Sequence, residues 1–371
     1  MKRTLLGFLV LALVIVASLI PLLSVGKSPG RAEKPTLEAE QGPVSNLSDL
    51  SQLPYNPAPW KIQDRSIIDG QGRRVSAAGV NINGYANLPK SKDEAATWAK
   101  KIAGLGIRVV RAHHMDGPLL DNPEAHSDRF QWWLDALKKV KIPVIIEFGS
   151  TRFDKRKLAS GDSNEMVKWR SYTGRFCAMD LSNVVAACPM NEPLPTSKTI
   201  FDAQYSYIRR AGFKGLIFGS NSMVQPGPFG DFANGHYYCG LEGQKGDEFF
   251  EIEYKDQPWN HPKRQSLPVV ATEIGHFWPA STRYQSEWQI VESLLRVDAQ
   301  VICMFAYIDN VDEWTNTRKP IDKDSFFNDP ERMETLARLV HKMAGVRYLP
   351  RTYTPGFKAV PLERGKWRMT K

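Results

Sequence analysis

The sequence predicts an α/β fold, a (β/α)8 TIM barrel, because eight short apolar segments recur along the chain and amphipathic helices separate most of them. The segments are continuous apolar runs without in/out alternation, which is typical of parallel strands buried on both faces. Eight such strands fit one large barrel within 371 residues. The predicted strands cover residues 78–83, 107–113, 142–148, 184–190, 215–220, 232–238, 268–274 and 300–308.

Amphipathic periodicity predicts individual helices in four of the intervals between strands. They cover residues 92–106, 128–141, 286–297 and 332–345. Between the fifth and sixth strands, residues 221–231 are too short and too rich in proline and glycine for a helix, so we expect at most a turn. Ahead of the first strand, two β-like runs flank Asp69-Gly70-Gln71-Gly72 and predict an N-terminal β-hairpin.

The two ends of the chain differ in composition from the barrel. Lys2 and Arg3 precede an apolar run, Leu5–Val25, that is long enough to span a bilayer, although Ser24-Val25-Gly26 also suits signal cleavage. We therefore expect a signal anchor or signal peptide over residues 1–26, a transmembrane helix if it is not cleaved. A flexible spacer over 27–59, the barrel over 60–350 and a basic tail over 351–371 would follow. The expected location is extracytoplasmic, either membrane-anchored through the N-terminal helix or secreted.

Charge and cysteine usage narrow the expected partners and cofactors. The net charge is +9, but residues 345–371 alone hold seven lysines and arginines against one glutamate, and no basic stripe is interleaved with aromatic residues. Nucleic acid is therefore not an expected partner. The four cysteines, Cys177, Cys188, Cys239 and Cys303, form no CxxC pair, so no metal and no organic cofactor is expected. Their disulfide state stays open.

Polar side chains lie at the carboxyl ends of the predicted strands, where barrels of this class carry their catalytic groups. Two of them are glutamates, Glu192 after the fourth strand and Glu273 on the seventh. Glycoside hydrolysis requires one protonated and one ionised carboxyl group across a cleft. Arg111 on the second strand would keep Glu273 ionised, and Glu192 would then be the acid with the raised pKa.

Two further residues allow more than one interpretation. Glu147, at the end of the third strand, is either a third acid in the cleft or a salt-bridge partner at the barrel mouth, and we favour the latter. Trp278, in the loop after Glu273, is equally compatible with a platform for a sugar ring and with a lid on the barrel edge.

From Trp60 to Tyr348 the sequence resembles the clan A (β/α)8 glycoside hydrolases, and within them most resembles glycoside hydrolase family 5, the cellulase and mannanase family. The matching pieces are the hairpin motif IIDGQGRRVSAAGVN, Arg111, Asn191-Glu192-Pro193, His236-x-Tyr238 and Glu273. The resemblance implies that Glu192 is the acid/base and Glu273 the nucleophile. It also implies that Asn191 binds the substrate 2-hydroxyl, that Tyr238 and Arg111 hold the nucleophile, and that His236 lines the subsite.

Two positions depart from the family pattern. The third strand ends in VIIEFGS where the family commonly has a histidine, and the eighth reads MFAYID where it commonly has a tryptophan platform. We expect His113 or His114 to occupy the histidine's space and Tyr307 to replace the tryptophan. These differences bear on the substrate more than on the reaction.

The sequence therefore predicts a retaining glycoside hydrolase that cleaves β-linked glucan or mannan by a two-glutamate double displacement. Its expected partners are a polysaccharide or oligosaccharide and, if the N-terminal helix is not cleaved, a membrane. One alternative is a surface carbohydrate-binding pseudoenzyme, against which the presence of both glutamates argues. Another is a transglycosylase that remodels an envelope or extracellular polysaccharide with the same two glutamates.

Overall fold

Eight parallel strands form one hydrogen-bonded sheet, and each corresponds to a predicted strand. Two short hairpin strands, β1 (Lys61–Gln63) and β2 (Ser66–Ile68), precede them. The eight are β3 (Ala77–Asn83), β4 (Val109–His113), β5 (Val144–Glu147), β6 (Val184–Cys188), β7 (Leu216–Ile217), β8 (Ala233–Cys239), β9 (Val269–His276) and β10 (Val301–Ile308). The sheet order is β7-β6-β5-β4-β3-β10-β9-β8, so β3 and β10, the first and last of the eight, are neighbours. This cyclic order is consistent with a TIM barrel.

The structure is a computed structural model, and only part of the chain is described. The described residues are 50, 53–83, 88–113, 123–149, 153–191, 198–219, 230–239, 267–276, 283–308, 330–346, 359–362 and 366–369. The predicted turn over 221–231 falls almost entirely outside them.

The two edge strands of the sheet, β7 and β8, are linked through the residues just before β8. The backbone N–H of Asp231 donates to the carbonyl of Ile217 over 2.8 Å, and its carboxylate accepts from the N–H of Ile217 over 2.7 Å. The rings of Phe218 and Phe232 stack with their centroids 4.5 Å apart. These contacts bring the ends of the sheet together, as barrel closure requires.

Seven helices are described in the intervals between these strands and after β10. All four individually predicted helices are confirmed, although the second begins at Pro123 rather than at residue 128, since proline suits the first turn of a helix. The helices are α1 (Lys92–Gly104), α2 (Pro123–Lys139), α3 (Lys155–Ser160), α4 (Ser163–Cys177), α5 (Lys198–Arg210), α6 (Arg283–Arg296) and α7 (Pro330–Met343). Side chains cap several of them; the Ser91 hydroxyl, for example, accepts from the N–H of Glu94 at the start of α1.

Apolar side chains of the strands divide into two clusters, because successive residues in a strand point to opposite faces. One cluster joins strand residues such as Val110 and Val144 to helix residues such as Phe130 and Trp133. The other contains no helix residue and lies within the curved sheet. Its members are Trp60, Ile67, Val75, Ala77, Val109, Ile145, Val185, Ala186, Cys188, Leu216, Phe218, Phe232, Val270, Val301 and Cys303. Burial on both faces explains the continuous apolar runs in the sequence.

The N-terminal hairpin forms, but its ladder closes one turn earlier than predicted. Strand β1 (Lys61–Gln63) pairs antiparallel with β2 (Ser66–Ile68), and the chain reverses at Asp64, whose φ is 46°. The predicted turn is also present, with the N–H of Gly72 bonded to the carbonyl of Asp69 over 3.0 Å. It is followed by a single bridge rather than by a strand.

The hairpin covers the end of the sheet at which β10 begins. Gln300, the residue before β10, accepts from the N–H of Ile67 over 2.9 Å and donates to the carbonyls of Ile67 and Val75, each over 3.1 Å. Trp60 and Ile67 complete the inner apolar cluster at this end. The opposite end, where the strands finish, is therefore the one available for a functional site.

The chain packs against the barrel before the predicted boundary at residue 60. Leu53 is buried, and the Arg108 guanidinium donates to the carbonyls of Leu50, Leu53 and Pro54. Within the predicted basic tail, β11 (Ala359–Leu362) pairs antiparallel with β12 (Lys366–Met369). No helix in the described part of the chain is long and apolar enough to cross a membrane, and the predicted N-terminal span lies outside that part.

Candidate active site

Arg111 connects four strands at the carboxyl-terminal side of the sheet. Its Nη1 donates to Asn81 Oδ1 on β3 over 3.0 Å and to Glu273 Oε1 on β9. Its Nη2 donates to Asn191 Oδ1, just after β6, over 2.8 Å and to Glu147 Oε2 on β5 over 3.3 Å. The guanidinium has the planar fork that such a set of oxygens requires, and the residue is fully buried. The predicted Arg111–Glu273 contact is thereby confirmed.

The charges around Arg111 favour the protonated form of its guanidinium. Burial alone lowers the pKa of the Arg111 guanidinium, but the charges of Glu273 and Glu147 outweigh it and raise that pKa well above its ordinary value. Arg111 therefore stays protonated at every physiological pH. The favoured interpretation of Glu147 as a salt-bridge partner agrees with its contact to Arg111.

His236 lies beside the same carboxylate. Its Nδ1 is 3.5 Å from Glu273 Oε1, and its Nε2 is 3.0 Å from the hydroxyl of Thr272. The pairing of β8 with β9 sets His236 directly opposite Glu273. Both side chains are almost completely buried, so their mutual orientation is fixed by packing as well as by hydrogen bonds.

An extra residue in β9 accounts for this arrangement. Gly235 is opposite Ala271 and His236 is opposite Glu273, so β9 advances two residues while β8 advances one. Strand β10 shows the same one-residue shift along its pairing with this part of β9. The shift is a β-bulge at Thr272, and bulges re-aim side chains next to functional sites. It allows two consecutive residues, Thr272 and Glu273, to contact the same histidine.

Three buried polar residues near Arg111 were not predicted as site residues, namely Asn81, Thr272 and Asn234. Asn81 joins the guanidinium to the bulge, because its Nδ2 donates to the carbonyl of Thr272 over 2.9 Å. Asn234 on β8 accepts from both the N–H and the hydroxyl of Thr272, over 3.1 and 2.9 Å. Polar residues inside otherwise apolar strands were the available signal, since buried polar groups need specific partners.

Several predicted site residues fall outside the part of the chain that the structure describes. Glu192 directly follows the last described residue of its segment, Asn191, and Trp278 lies between two described segments. His113, Tyr238 and Tyr307 lie on β4, β8 and β10, but their side chains are not described. The structure therefore brings together Arg111, Asn191, His236 and Glu273 of the predicted set, and the roles of all nine remain predictions.

The buried cysteines near Arg111 are poor nucleophiles. Burial, reinforced by the charge of Glu147, raises the pKa of the Cys188 thiol, and burial raises that of Cys303 to about 12. Thiolates are the reactive form, so these side chains act as small apolar groups. Cys177, Cys188 and Cys303 are unpaired thiols. Among the described residues, no group of three or more His, Cys, Asp or Glu could hold a metal ion.

Comparison with known proteins finds solved structures of similar fold. No protein-family model matches the sequence, and no curated protein matches it. A β-glucanase from Saccharophagus degradans matches with a TM-score of 0.54 and 14% identity, over 81% of this chain and 98% of the other. A family 5 mannosidase from Rhizomucor miehei, in complex with mannosyl-fructose, matches with a TM-score of 0.59 and 11% identity, over 77% and 98% of the two chains.

An endo-β-1,4-mannanase from Thermotoga petrophila gives a similar result, with a TM-score of 0.55 and 14% identity over 74% of this chain and 78% of the other. The chain has the fold of a family 5 glycoside hydrolase. At these identities the similarity is one of fold. Arg111 and its partners lie at the carboxyl ends of the strands, the end at which TIM barrels in general carry their active sites.

Proposed function

We propose that the protein is a retaining glycoside hydrolase that acts on a β-linked glucan or mannan. The observation that carries the proposal is the buried carboxylate of Glu273, bonded to Arg111 and faced by His236 at the carboxyl-terminal side of the barrel. Arg111 places a positive charge at hydrogen-bond distance from this carboxylate and fixes its position. An ionised carboxylate fixed in a cleft is what the first step of double displacement requires of its nucleophile.

The net charge around Arg111 suits the transition state of this reaction. With both carboxylates ionised, Glu147 and Glu273 together outnumber the single guanidinium that binds them. The transition state of glycoside cleavage has oxocarbenium character and therefore carries positive charge at the sugar ring. A buried excess of negative charge would stabilise that developing charge, and the fixed groups need no reorganisation to do so.

Glu192 is the proposed acid/base. It follows Asn191 directly, and Asn191 is held by the hydrogen bond from Arg111 to its Oδ1. That bond turns the Nδ2 of Asn191 away from Arg111, as a donor suited to the sugar 2-hydroxyl. In the first step Glu273 attacks the anomeric carbon while Glu192 protonates the departing oxygen; in the second step Glu192 deprotonates the water that releases the sugar.

The test is hydrolysis of a panel of aryl β-glycosides and of β-glucan and β-mannan oligosaccharides by four proteins. They are the wild type, Glu192→Ala, Glu273→Ala and the control Glu334→Ala, whose side chain is exposed on α7. We expect the control to match the wild type and Glu192→Ala to lose about 10²–10⁴-fold in rate, the usual contribution of a general acid. We expect azide to restore turnover in Glu273→Ala with the inverted α-glycosyl azide as product, whereas an azide product of Glu192→Ala should be the retained β-glycosyl azide.

Other outcomes would support the alternatives. A wild type that is inert on the whole panel, yet binds an oligosaccharide equally well after either glutamate is removed, would favour the surface-binding pseudoenzyme. A wild type whose products are mostly lengthened oligosaccharides at moderate acceptor concentration would favour the transglycosylase.

A further inference from the structure

The hydroxyl of Thr272 has its single hydrogen committed to Asn234. The N–H of Thr272 donates to Asn234 over 3.1 Å, so the atom that faces it must be the amide oxygen Oδ1 and not the amide nitrogen. The hydroxyl of Thr272 lies 2.9 Å from that same Oδ1. Since Oδ1 has no hydrogen, the threonine hydroxyl is the donor in this second bond as well.

This assignment determines which nitrogen of His236 carries a hydrogen. Thr272 Oγ1 is 3.0 Å from His236 Nε2, and its only hydrogen already points at Asn234. The hydroxyl can therefore only accept from Nε2, and Nε2 must be the protonated nitrogen. In the neutral ring, the lone pair then lies on Nδ1, the nitrogen 3.5 Å from Glu273 Oε1.

We propose that Thr272 and Asn234 are positioning residues that fix the tautomer of His236, so that the neutral ring withholds a hydrogen bond from the nucleophile Glu273. The inference rests on the proposed function for its catalytic consequence, but the tautomer itself follows from hydrogen-bond geometry alone. The bulge in β9 is the structural device, because without the extra residue Thr272 and Glu273 would point to opposite faces of the strand.

The chemical consequence concerns the charge on Glu273. Arg111 already donates to Oε1, the oxygen nearest to His236. In the opposite tautomer, Nδ1–H would add a second donor to that oxygen, stabilise the free carboxylate and weaken it as a nucleophile. With the hydrogen held on Nε2, the neutral ring adds no second donor to Oε1, and the oxygen lone pairs remain available for attack on the anomeric carbon.

The first measurement is nitrogen-15 NMR of the full-length protein labelled at histidine, with the His236 signals assigned by their loss in His236→Gln. We expect the wild type, at a pH at which the ring is neutral, to show a hydrogen on Nε2 of His236 and none on Nδ1. A bare Nε2 in the wild type would overturn the proposal, whatever the protein hydrolyses. A correct tautomer in a protein without glycosidase activity would instead contradict the proposed function only.

The second measurement compares Thr272→Val, which removes the hydroxyl at nearly constant shape, with Thr272→Ser, which retains it. We expect kcat of Thr272→Val to fall about tenfold at unchanged KM, the size of one lost hydrogen bond, and its His236 signals to shift towards hydrogen on Nδ1. Thr272→Ser should keep both wild-type properties. Equal kcat and equal tautomers in the two variants would overturn the positioning role.

Discussion

At the scale of single residues, Arg111 contributes most to the site because it satisfies four acceptors from four segments of the chain. Two of these acceptors are buried carboxylates, and Arg111 supplies an opposite charge to both. Breaking a buried ion pair by removing one partner is costly, because the remaining charge has lost both its solvent and its counter-ion. The same residue therefore supports the stability of the fold and holds Glu273, the proposed nucleophile, in place.

We predict that Arg111→Met lowers the free energy of unfolding by about 3–5 kcal/mol, the usual cost of stranding a buried charge. The matched control is Arg74→Met, since Arg74 pairs with Asp298 on the surface and both side chains are largely exposed. We expect the control to change stability by less than about 1 kcal/mol. Urea denaturation of both variants is the measurement, and equal losses would contradict the network described for Arg111.

At the scale of elements, the two ends of the barrel carry different groups of residues. The N-terminal hairpin covers one end through the side chain of Gln300, which makes three hydrogen bonds to the backbone around β2. The other end carries the Arg111 network and the bulge in β9. The hairpin contacts and the proposed catalytic groups thus lie at opposite ends of the strands, the arrangement that is general for barrels of this kind.

We predict that Gln300→Leu destabilises the protein by about 3 kcal/mol, because buried backbone groups at Ile67 and Val75 would lose their partners. Gln63→Leu on the exposed strand β1 is the control and should change stability little. Because Gln300 is remote from the strand ends that hold the site, Gln300→Leu should retain wild-type kcat under folding conditions. A loss of kcat without a loss of stability would contradict this division.

At the scale of the whole molecule, the sequence predicted the eight strands and the Arg111–Glu273 contact for a shared physical reason. Parallel strands buried on both faces are apolar throughout, so the few polar residues at their ends stand out. The same property concealed the bulge at Thr272, because a strand without in/out alternation gives no sign that its register has shifted. The sequence predicts the hairpin turn at Asp69, whereas the paired strands reverse at Asp64, because two turn-forming sequences follow each other at these positions.

The central claim, that Glu273 is the nucleophile of a retaining glycosidase, is tested most directly by trapping the covalent intermediate. An activated 2-deoxy-2-fluoro β-glycoside of the preferred sugar slows both steps, because fluorine destabilises the oxocarbenium-like transition states. Mass spectrometry of the digested protein should find one sugar attached to the peptide that contains Glu273, and none in Glu273→Ala. An active enzyme that carries the sugar on another residue, or that forms no adduct and releases the inverted anomer, would contradict the account.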